Sequence, residues 1–269
     1  MQKRARRSCV EKLASAGSRV VATGRDAEAG AALERANHGV TFVAGDIIRE
    51  DDCRRVVDRA LELGNGRLAG LVNNAGMSKR IAFATATQDD WDEVLAVNAR
   101  SVFFFIRHAL DGLRLGRGSV VNMASIAGKT GEEGLAAYCA SKAAVIGLTQ
   151  ALALEFGEEI RFNAVCPGQI ETRMMGNIIS DALRKKQLEL RIPANRFGAP
   201  EEIADVALRK KQLELRIPAN RFGAPEEIAD VVAWLLSNQS SYVNGTVVTV
   251  DGGETAGLRT PRVAQIDGA

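Results

Sequence analysis

The chain has 269 residues, of which 46% are hydrophobic and 25% charged, and this composition suits one folded α/β domain with a substantial core. Its net charge of +2 excludes global electrostatic steering toward nucleic acid. No apolar run approaches the roughly 18 residues of a membrane helix. The cysteines are scattered without a CxxC pair, which predicts reduced thiols in a cytoplasmic protein and neither a disulfide framework nor a metal site. They are Cys9, Cys53, Cys139 and Cys166.

The chain opens with a basic stretch, MQKRARRS, followed by CVEKLASAG, which has the pattern of the end of a helix. No apolar segment follows the basic residues directly, so they are not a secretory signal. We interpret residues 1–8 as a solvated N-terminal remnant, with a targeting or nucleic-acid-binding arm as the alternative.

Short apolar runs then alternate with helical patterns along the rest of the chain, which predicts parallel strands joined by helices. The predicted fold is a single Rossmann-like α/β domain over residues 1–269, a doubly wound parallel sheet with helices on both faces. Strands are predicted near 19–23, 40–44, 69–73, 119–124, 161–166 and 246–250.

The most informative stretch is VVNMASIAGKTGEEGLAAYCASK, at 120–142. Tyr138 and Lys142 are four residues apart, so they share one helical face. A nearby ammonium favours the phenolate and lowers the pKa of a tyrosine, which suits acid–base work. Ser125 follows a strand, where open α/β sheets place their ligands. A YxxxK pair alone is more often an incidental surface pattern, but the serine at this position argues for a site.

These residues, with other motifs in the same order, resemble the short-chain dehydrogenase/reductase family over roughly residues 9–253. The resemblance implies hydride transfer between a nicotinamide cofactor and a small carbonyl or alcohol substrate, similar to the 3-oxoacyl-carrier-protein reductases. The matching motifs are NNAG at 73–76, Asn98 in VLAVNARSVFF, Ser125, YCASK at 138–142, PGQIET at 167–172 and VDGG at 250–253.

The resemblance also implies a role for each matching residue. Tyr138 gives or takes the proton, Lys142 lowers its pKa and holds the ribose, and Ser125 orients the substrate oxygen. Asn98 holds a water in a proton relay with the lysine. Family members commonly form homodimers or homotetramers through the helix at 135–156 and its neighbour, and we expect no nucleic-acid or membrane partner.

Cofactor-binding residues are predicted along the carboxyl ends of the strands. Arg25 follows the strand at 19–23, and an arginine there accommodates the 2′-phosphate, so NADP is favoured over NAD; the alternative is a solvated arginine in a turn. By the resemblance, Asp46 and Ile47 flank the adenine, although Asp46 also suits a helix N-cap. The remaining predicted cofactor residues are Asn74, Ala75, Gly76, Tyr138, Lys142, Pro167, Gly168, Ile170 and Thr172.

One family feature has no counterpart in the sequence. Family members open with a strand and a TGxxxGxG turn, whose backbone N–H groups approach the pyrophosphate. The clusters Gly64–Gly66–Gly70 and Gly112–Gly116–Gly118 come before strands, whereas the motif requires strand, turn and helix in that order. We therefore predict that the first strand and its turn are absent. A second interpretation follows, in which the chain is an inactive family member that serves only for binding or oligomerisation.

A perfect tandem repeat lies in the region where the family has its substrate lid. Residues 182–206 and 207–231 are identical, ALRKKQLELRIPANRFGAPEEIADV. Two copies do not make a solenoid. Because good helix formers follow Pro200, we expect one continuous helix across the junction. The chain ends in a tail, residues 258–269.

Overall fold

Parallel strands alternate with helices in a computed structural model, which describes residues 2–170 and 217–257. The first half holds α1 (Gln2–Ser15), β1 (Val20–Gly24), α2 (Ala27–Ala36), β2 (Val40–Ala44), α3 (Glu50–Leu63) and β3 (Gly70–Asn73). Then come α4 (Gln88–Leu95), α5 (Ser101–Gly116), β4 (Ser119–Met123), α6 (Ala136–Glu155), β5 (Arg161–Pro167), α7 (Pro225–Leu236) and β6 (Val247–Val250). Short 3₁₀ turns lie at Phe83–Thr85, Ile126–Gly128 and Asn238–Ser240.

The strands form two hydrogen-bonded groups. One is the pair β1–β2, and the other is a four-stranded sheet in the order β3–β4–β5–β6. Every pairing is parallel, with Val20 opposite Val40 in the first group and Val121 opposite Asn163 in the second. This is the predicted Rossmann-like arrangement, and each observed strand lies within one residue of its predicted bounds.

The start of the chain differs from the prediction. Helix α1 begins at Gln2, so the interpretation of residues 1–8 as a remnant outside the helix is wrong for residues 2–8. The helix packs on α7, where the Ser8 hydroxyl donates to Glu226 at 3.0 Å and Lys12 lies 2.6 Å from Asp230. Cys9 is buried between them. Within residues 2–19 the structure contains a helix and no strand.

The stretch VLAVNARSVFF is helical, but a different kind of turn interrupts the helix. Between α4 and α5 the residues Ala96–Arg100 form a π-helical turn. A π turn accommodates one extra residue, and such turns are frequent at functional sites. Here the turn holds Asn98, whose side chain is fully buried.

The core lies on both faces of β4, whose five residues are all buried. On one face α3, α5 and α6 supply apolar side chains, and on the other α1 and α7 do so. In the second copy of the repeat, Ile228 and Ala229 are buried in this core. The first copy, the helix predicted from Pro200 across the junction and the tail at 258–269 lie outside the described residues.

Helix α6 is long and apolar enough, by length and composition, to cross a membrane. The same helix buries Tyr138, Lys142 and Thr149 against the sheet. A core helix of a folded domain passes the same test, and this placement identifies α6 as such a helix.

Candidate active site

The carboxyl ends of the central strands carry a network of polar side chains. Asn73 at the end of β3 donates to the Asn122 side chain at 2.8 Å, and Asn122 donates to the Thr149 hydroxyl at 2.9 Å. All three side chains are buried. A buried amide must be paired, and here the pairing fixes β3, β4 and α6 to one another.

Ser125 lies just beyond β4, where the chain turns across the sheet edge. It caps the 3₁₀ turn Ile126–Gly128, and its hydroxyl accepts from the backbone N–H of Ala127 at 3.2 Å. A Cβ at Gly128 would lie only 2.8 Å from the backbone of Lys142, so this turn packs directly on α6. The close approach brings Ser125 to the face of α6 that carries the predicted catalytic residues.

Tyr138 and Lys142 lie in the first turns of α6 and face this turn. Their relative exposures are 5% and 2%, so both polar ends are removed from bulk solvent. The Lys142 ammonium donates to the Met123 carbonyl at 2.7 Å and lies 5.8 Å from the centre of the Tyr138 ring. A buried ammonium requires such partners. The structure therefore brings Ser125, Tyr138 and Lys142 together at the end of β4.

The protonation of Tyr138 differs from the expectation that Lys142 lowers its pKa. Burial raises the pKa of this phenol above its ordinary value, and a hydrogen bond with the Ser125 side chain opposes the rise. The negative charge of Glu132 raises the pKa further. Desolvation disfavours the phenolate, so the expected lowering is not found in this structure and Tyr138 is held as a neutral phenol.

The Asn98 side chain makes three hydrogen bonds to protein groups, in addition to any water that the expected relay would require. Its Oδ1 accepts from the Met77 backbone N–H at 2.8 Å. Its Nδ2 donates to the Met77 carbonyl and to the Ser141 hydroxyl, each at 2.9 Å. Both amide protons are therefore used. The side chain fastens the segment after NNAG to α6.

Ser141 is a site residue that the sequence reasoning missed. It is fully buried, and its hydroxyl donates to the Tyr138 carbonyl at 2.7 Å. Its position within the YCASK motif, next to Lys142, could have identified it as a site residue. Three residues after Tyr138, it lies on the buried face of α6, and a buried hydroxyl needs a hydrogen-bond partner.

At the other end of the predicted cofactor cleft, Arg25 is exposed directly after β1. The next residue, Asp26, caps α2 by accepting from the backbone N–H of Ala29 at 3.0 Å. The alternative for Asp46 as a helix N-cap is wrong, because α3 begins at Glu50 with Arg49 at the cap position. Asp46 instead accepts from Ile48 N–H in a tight turn, at 3.3 Å. Ile47 packs against the core beside it.

The remaining predicted cofactor residues lie at the ends of β3 and β5. Asn74, Ala75 and Gly76 follow β3 and are half-buried. Pro167 ends β5, and the Gly168 N–H donates to the Val250 carbonyl at 3.0 Å. Ile170 forms an isolated bridge with Gly223, and Thr172 lies outside the described residues.

The described residues include groups that fit the adenosine end and the nicotinamide end of a nicotinamide dinucleotide, but none that fit its pyrophosphate. The ends of β1 and β2 offer an exposed arginine and a turn, and the ends of β4 and β5 offer the tyrosine, the lysine and Pro167. Residues 2–170 and 217–257 include no strand, glycine turn and helix in the order that a pyrophosphate requires. In the same ranges, His, Cys, Asp and Glu form no group of three that could hold a metal ion.

Comparison with known proteins agrees with this geometry. A family model described as enoyl-(acyl carrier protein) reductase matches residues 7–209 and, as a second segment, 208–255. The 3-oxoacyl-(acyl-carrier-protein) reductase of Aquifex aeolicus is 35% identical over 92% of this chain and 91% of its own length. The inactive 2-(S)-hydroxypropyl-CoM dehydrogenase 2 of Xanthobacter autotrophicus is also 35% identical, over 90% of this chain and 96% of its own length.

Among solved structures, a short-chain dehydrogenase/reductase of Brucella melitensis, described as a glucose/ribitol dehydrogenase, superposes with a TM-score of 0.78 at 28% identity. The match covers 92% of this chain and 91% of the Brucella chain. The relatives are named as dehydrogenases and reductases. Fold, motif order and relatives agree, and the chain belongs to the short-chain dehydrogenase/reductase family of oxidoreductases.

Proposed function

We propose that this chain interconverts a small carbonyl compound and the corresponding alcohol, with NADP as its cofactor. The observation that carries the proposal is the buried Tyr138 phenol beside Ser125 at the carboxyl edge of β4, where the Ser125 side chain opposes the rise that burial causes in the pKa of the phenol. Two neighbouring hydroxyl groups can together hold one substrate oxygen. Lys142 lies one helical turn further along the same face.

Each residue then has a chemical task at the substrate oxygen. Tyr138 gives its proton to a carbonyl oxygen in the reductive direction, or takes the proton from an alcohol in the oxidative direction. Since its pKa is raised, the phenol is protonated at neutral pH, which favours reduction. Ser125 orients the oxygen by a second hydrogen bond. The cofactor, when bound, supplies or accepts the hydride.

The preference for NADP rests on the end of β1. Arg25 is exposed there, while the carboxylate of Asp26 is directed to the N-terminus of α2. A carboxylate at this place accepts from the ribose hydroxyls in NAD enzymes, and an arginine accommodates the 2′-phosphate. With the acid engaged in its own helix cap, the arginine is the group that meets the ribose. Lys142 and the residues after β3 and β5 would hold the nicotinamide half.

The test compares the two tyrosines of the chain. Purified protein is supplied with NADPH and a panel of small ketones and 3-oxoacyl thioesters, and loss of the reduced nicotinamide absorbance is followed. Tyr138→Phe should lower kcat by at least about a hundredfold, the range of general acid catalysis, with binding of NADPH retained. Tyr242→Phe is the control, because Tyr242 is fully exposed. Equal rates in the two variants would contradict the proposal.

A second candidate is a non-catalytic family member that binds or oligomerises only. The observation in its favour is the missing pyrophosphate turn in the described residues, and one relative is itself named as inactive. We expect this 269-residue chain to bind NADPH weakly, because each missing charge-assisted hydrogen bond costs roughly 1.5–3 kcal/mol.

Calorimetry on two versions of the protein separates these candidates. One is the chain as it stands, and in the other a strand and a TGxxxGxG turn are added ahead of α1. If only the second version binds NADPH tightly and turns over substrate, the unchanged chain has an intact catalytic site but lacks the residues that bind the pyrophosphate. Micromolar binding by the unchanged chain would mean that other residues, or a partner subunit, bind the pyrophosphate. No turnover in either version favours the non-catalytic candidate.

The chain is also proposed to form a homodimer or homotetramer in the cytoplasm. Its four cysteines are free thiols, as is usual in that compartment. On α5 and α6 the apolar side chains of Phe103 and Leu154 are exposed, at 52% and 88%. Apolar side chains that point outward from neighbouring helices suit a second copy. Sedimentation of the wild type beside Leu154→Asp would test this.

A further inference from the structure

We propose that Ser141 is a positioning residue for Tyr138, holding the phenol in register with Ser125. The inference rests on the proposed function only in taking Tyr138 as the acid–base. Ser141 has no predicted role, and its side chain is fully buried. Its hydroxyl joins the buried amide of Asn98 to the backbone of Tyr138.

The direction of each hydrogen bond is fixed by the chemistry of the groups. The Asn98 Nδ2 can only donate, so the Ser141 oxygen accepts at 2.9 Å. The Ser141 hydroxyl has one proton, and it donates this proton to the Tyr138 carbonyl at 2.7 Å. Both capacities of the hydroxyl are used in a fully buried position. Such a bond is costly to leave unmade.

Asn98 is itself held from a third element. The backbone of Met77 donates to Oδ1 at 2.8 Å and accepts from Nδ2 at 2.9 Å. These two bonds set which end of the amide faces α6. The network therefore ties the segment after β3, the π turn and the first turn of α6 to one another through Ser141.

Tyr138 needs this support because it lies near the start of its helix. The N-cap residue of α6 is Leu135, which makes no side-chain hydrogen bond to the helix. The first turn of a helix without a side-chain cap frays readily. The bond from Ser141 to the Tyr138 carbonyl fastens that turn from within, and so fixes where the phenol points.

The chain offers a matched control further along the same helix. Thr149 is equally buried, its hydroxyl accepts from the Asn122 amide at 2.9 Å, and it donates to the Val145 carbonyl at 2.7 Å. Ser141 and Thr149 therefore make the same pair of bonds, to a buried asparagine and to their own helix. Only the bonds of Ser141 reach Tyr138.

The test follows the Tyr138 phenol by absorbance in a Tyr242→Phe background, where it is the single tyrosine of the chain. Ser141→Ala should move its titration midpoint upward by about half a pH unit, because the lowering hydrogen bond from Ser125 is weakened while the phenol stays buried. Thr149→Ala should leave the midpoint unchanged. Thermal melting of both variants checks that they are folded and shows how much stability each has lost.

Where the protein turns over a carbonyl substrate, Ser141→Ala should lower kcat by roughly tenfold with KM unchanged, since a displaced acid costs rate rather than binding. Thr149→Ala should keep the wild-type kcat. Equal midpoints for the two variants, or equal losses of kcat, would overturn the assignment and leave Ser141 a purely structural hydroxyl. A chain without any turnover would contradict the proposed function alone, because the phenol titration needs neither substrate nor cofactor.

Discussion

Tyr138 combines deep burial with one hydrogen bond that favours its ionised form. Burial is the larger effect, so its pKa is raised, and the Ser125 side chain lowers it in part. In a Tyr242→Phe protein we expect the remaining tyrosine to titrate above the ordinary value of about 10. Ser125→Ala should raise the midpoint further, because the opposing hydrogen bond is removed.

The same shift has a consequence for stability against pH. A tyrosine whose folded pKa lies above its unfolded pKa contributes stability that is complete below the unfolded value of about 10. That contribution is lost as the pH rises through the folded value. In Tyr138→Phe, the free energy of unfolding should therefore fall less steeply as the pH rises through the alkaline range. Urea unfolding at a series of pH values measures this. A midpoint below 10 in the absorbance titration would contradict the burial argument.

We propose that Arg25, at the end of β1, favours NADP over NAD. Arg25→Ala should weaken NADPH binding by roughly ten- to a hundredfold, as expected for a lost charge-assisted bond of about 1.5–3 kcal/mol. Binding of NADH should change little. Arg19→Ala is the matched control, since Arg19 is also exposed but lies before β1. Equal effects of Arg25→Ala on both cofactors, measured by calorimetry, would refute the phosphate contact.

The positions of several site residues could be predicted because they follow from spacing alone. Tyr138 and Lys142 share a helical face at any backbone geometry near an α-helix, and Ser125 lies two residues beyond the end of a buried strand. The raised pKa of Tyr138 could not be predicted, because it depends on how much of the ring is covered by neighbours distant in sequence. The bond between Asn98 and Ser141 joins residues 43 positions apart, and no local pattern reveals it.

At the scale of elements, either copy of the repeat could supply the first half of α7. In the structure the second copy does so, and its Ile228 is buried. The first copy placed in the same register would put Ala207 where Val232 lies and Lys210 where Leu235 lies. Val232 and Leu235 are both fully buried, and an unpaired buried ammonium costs several kcal/mol. The residues after the repeat therefore select the second copy.

A pair of equivalent substitutions tests this selection. Ile228→Ala should lower the free energy of unfolding by about 2–5 kcal/mol, the range for a buried isoleucine. Ile203→Ala changes the corresponding residue of the first copy and should cost much less. Chemical denaturation of both variants gives the comparison. Equal losses would show that the two copies contribute equally to the core.

The strands could be located in advance because their β-branched and apolar runs are short and bounded by turn residues. The π turn between α4 and α5 could not, since the sequence around it continues a helical pattern without interruption. Within this turn Asn98 makes three hydrogen bonds, to Met77 and Ser141, which are distant in sequence. The start of α1 was missed because charged residues were interpreted as a solvated arm, although arginine, lysine and glutamine are good helix formers.

At the scale of the whole molecule, we expect one copy of the repeat to be enough to connect the described parts. Deleting residues 182–206 joins Asp181 to the second copy and yields the same sequence as deleting 207–231. We expect the thermal midpoint of the shortened protein to be unchanged or higher, because a shorter connection has less loop entropy to lose on folding. A large fall in the midpoint would mean that the inserted copy packs as part of the core.

The division of the strands into two groups bears on how the native protein opens. The pair β1–β2 has no further strand on either side among the described residues, and two-stranded sheets are marginal by themselves. Strands β4 and β5, by contrast, are paired on both edges and buried. Amide protons of Val20–Gly24 should therefore exchange with deuterium through a partial opening, well before those of Ser119–Met123. Arg25 lies on the part that opens, and Tyr138 on the part that stays closed, so the native state would release the nucleotide end of its cleft without disturbing the catalytic end.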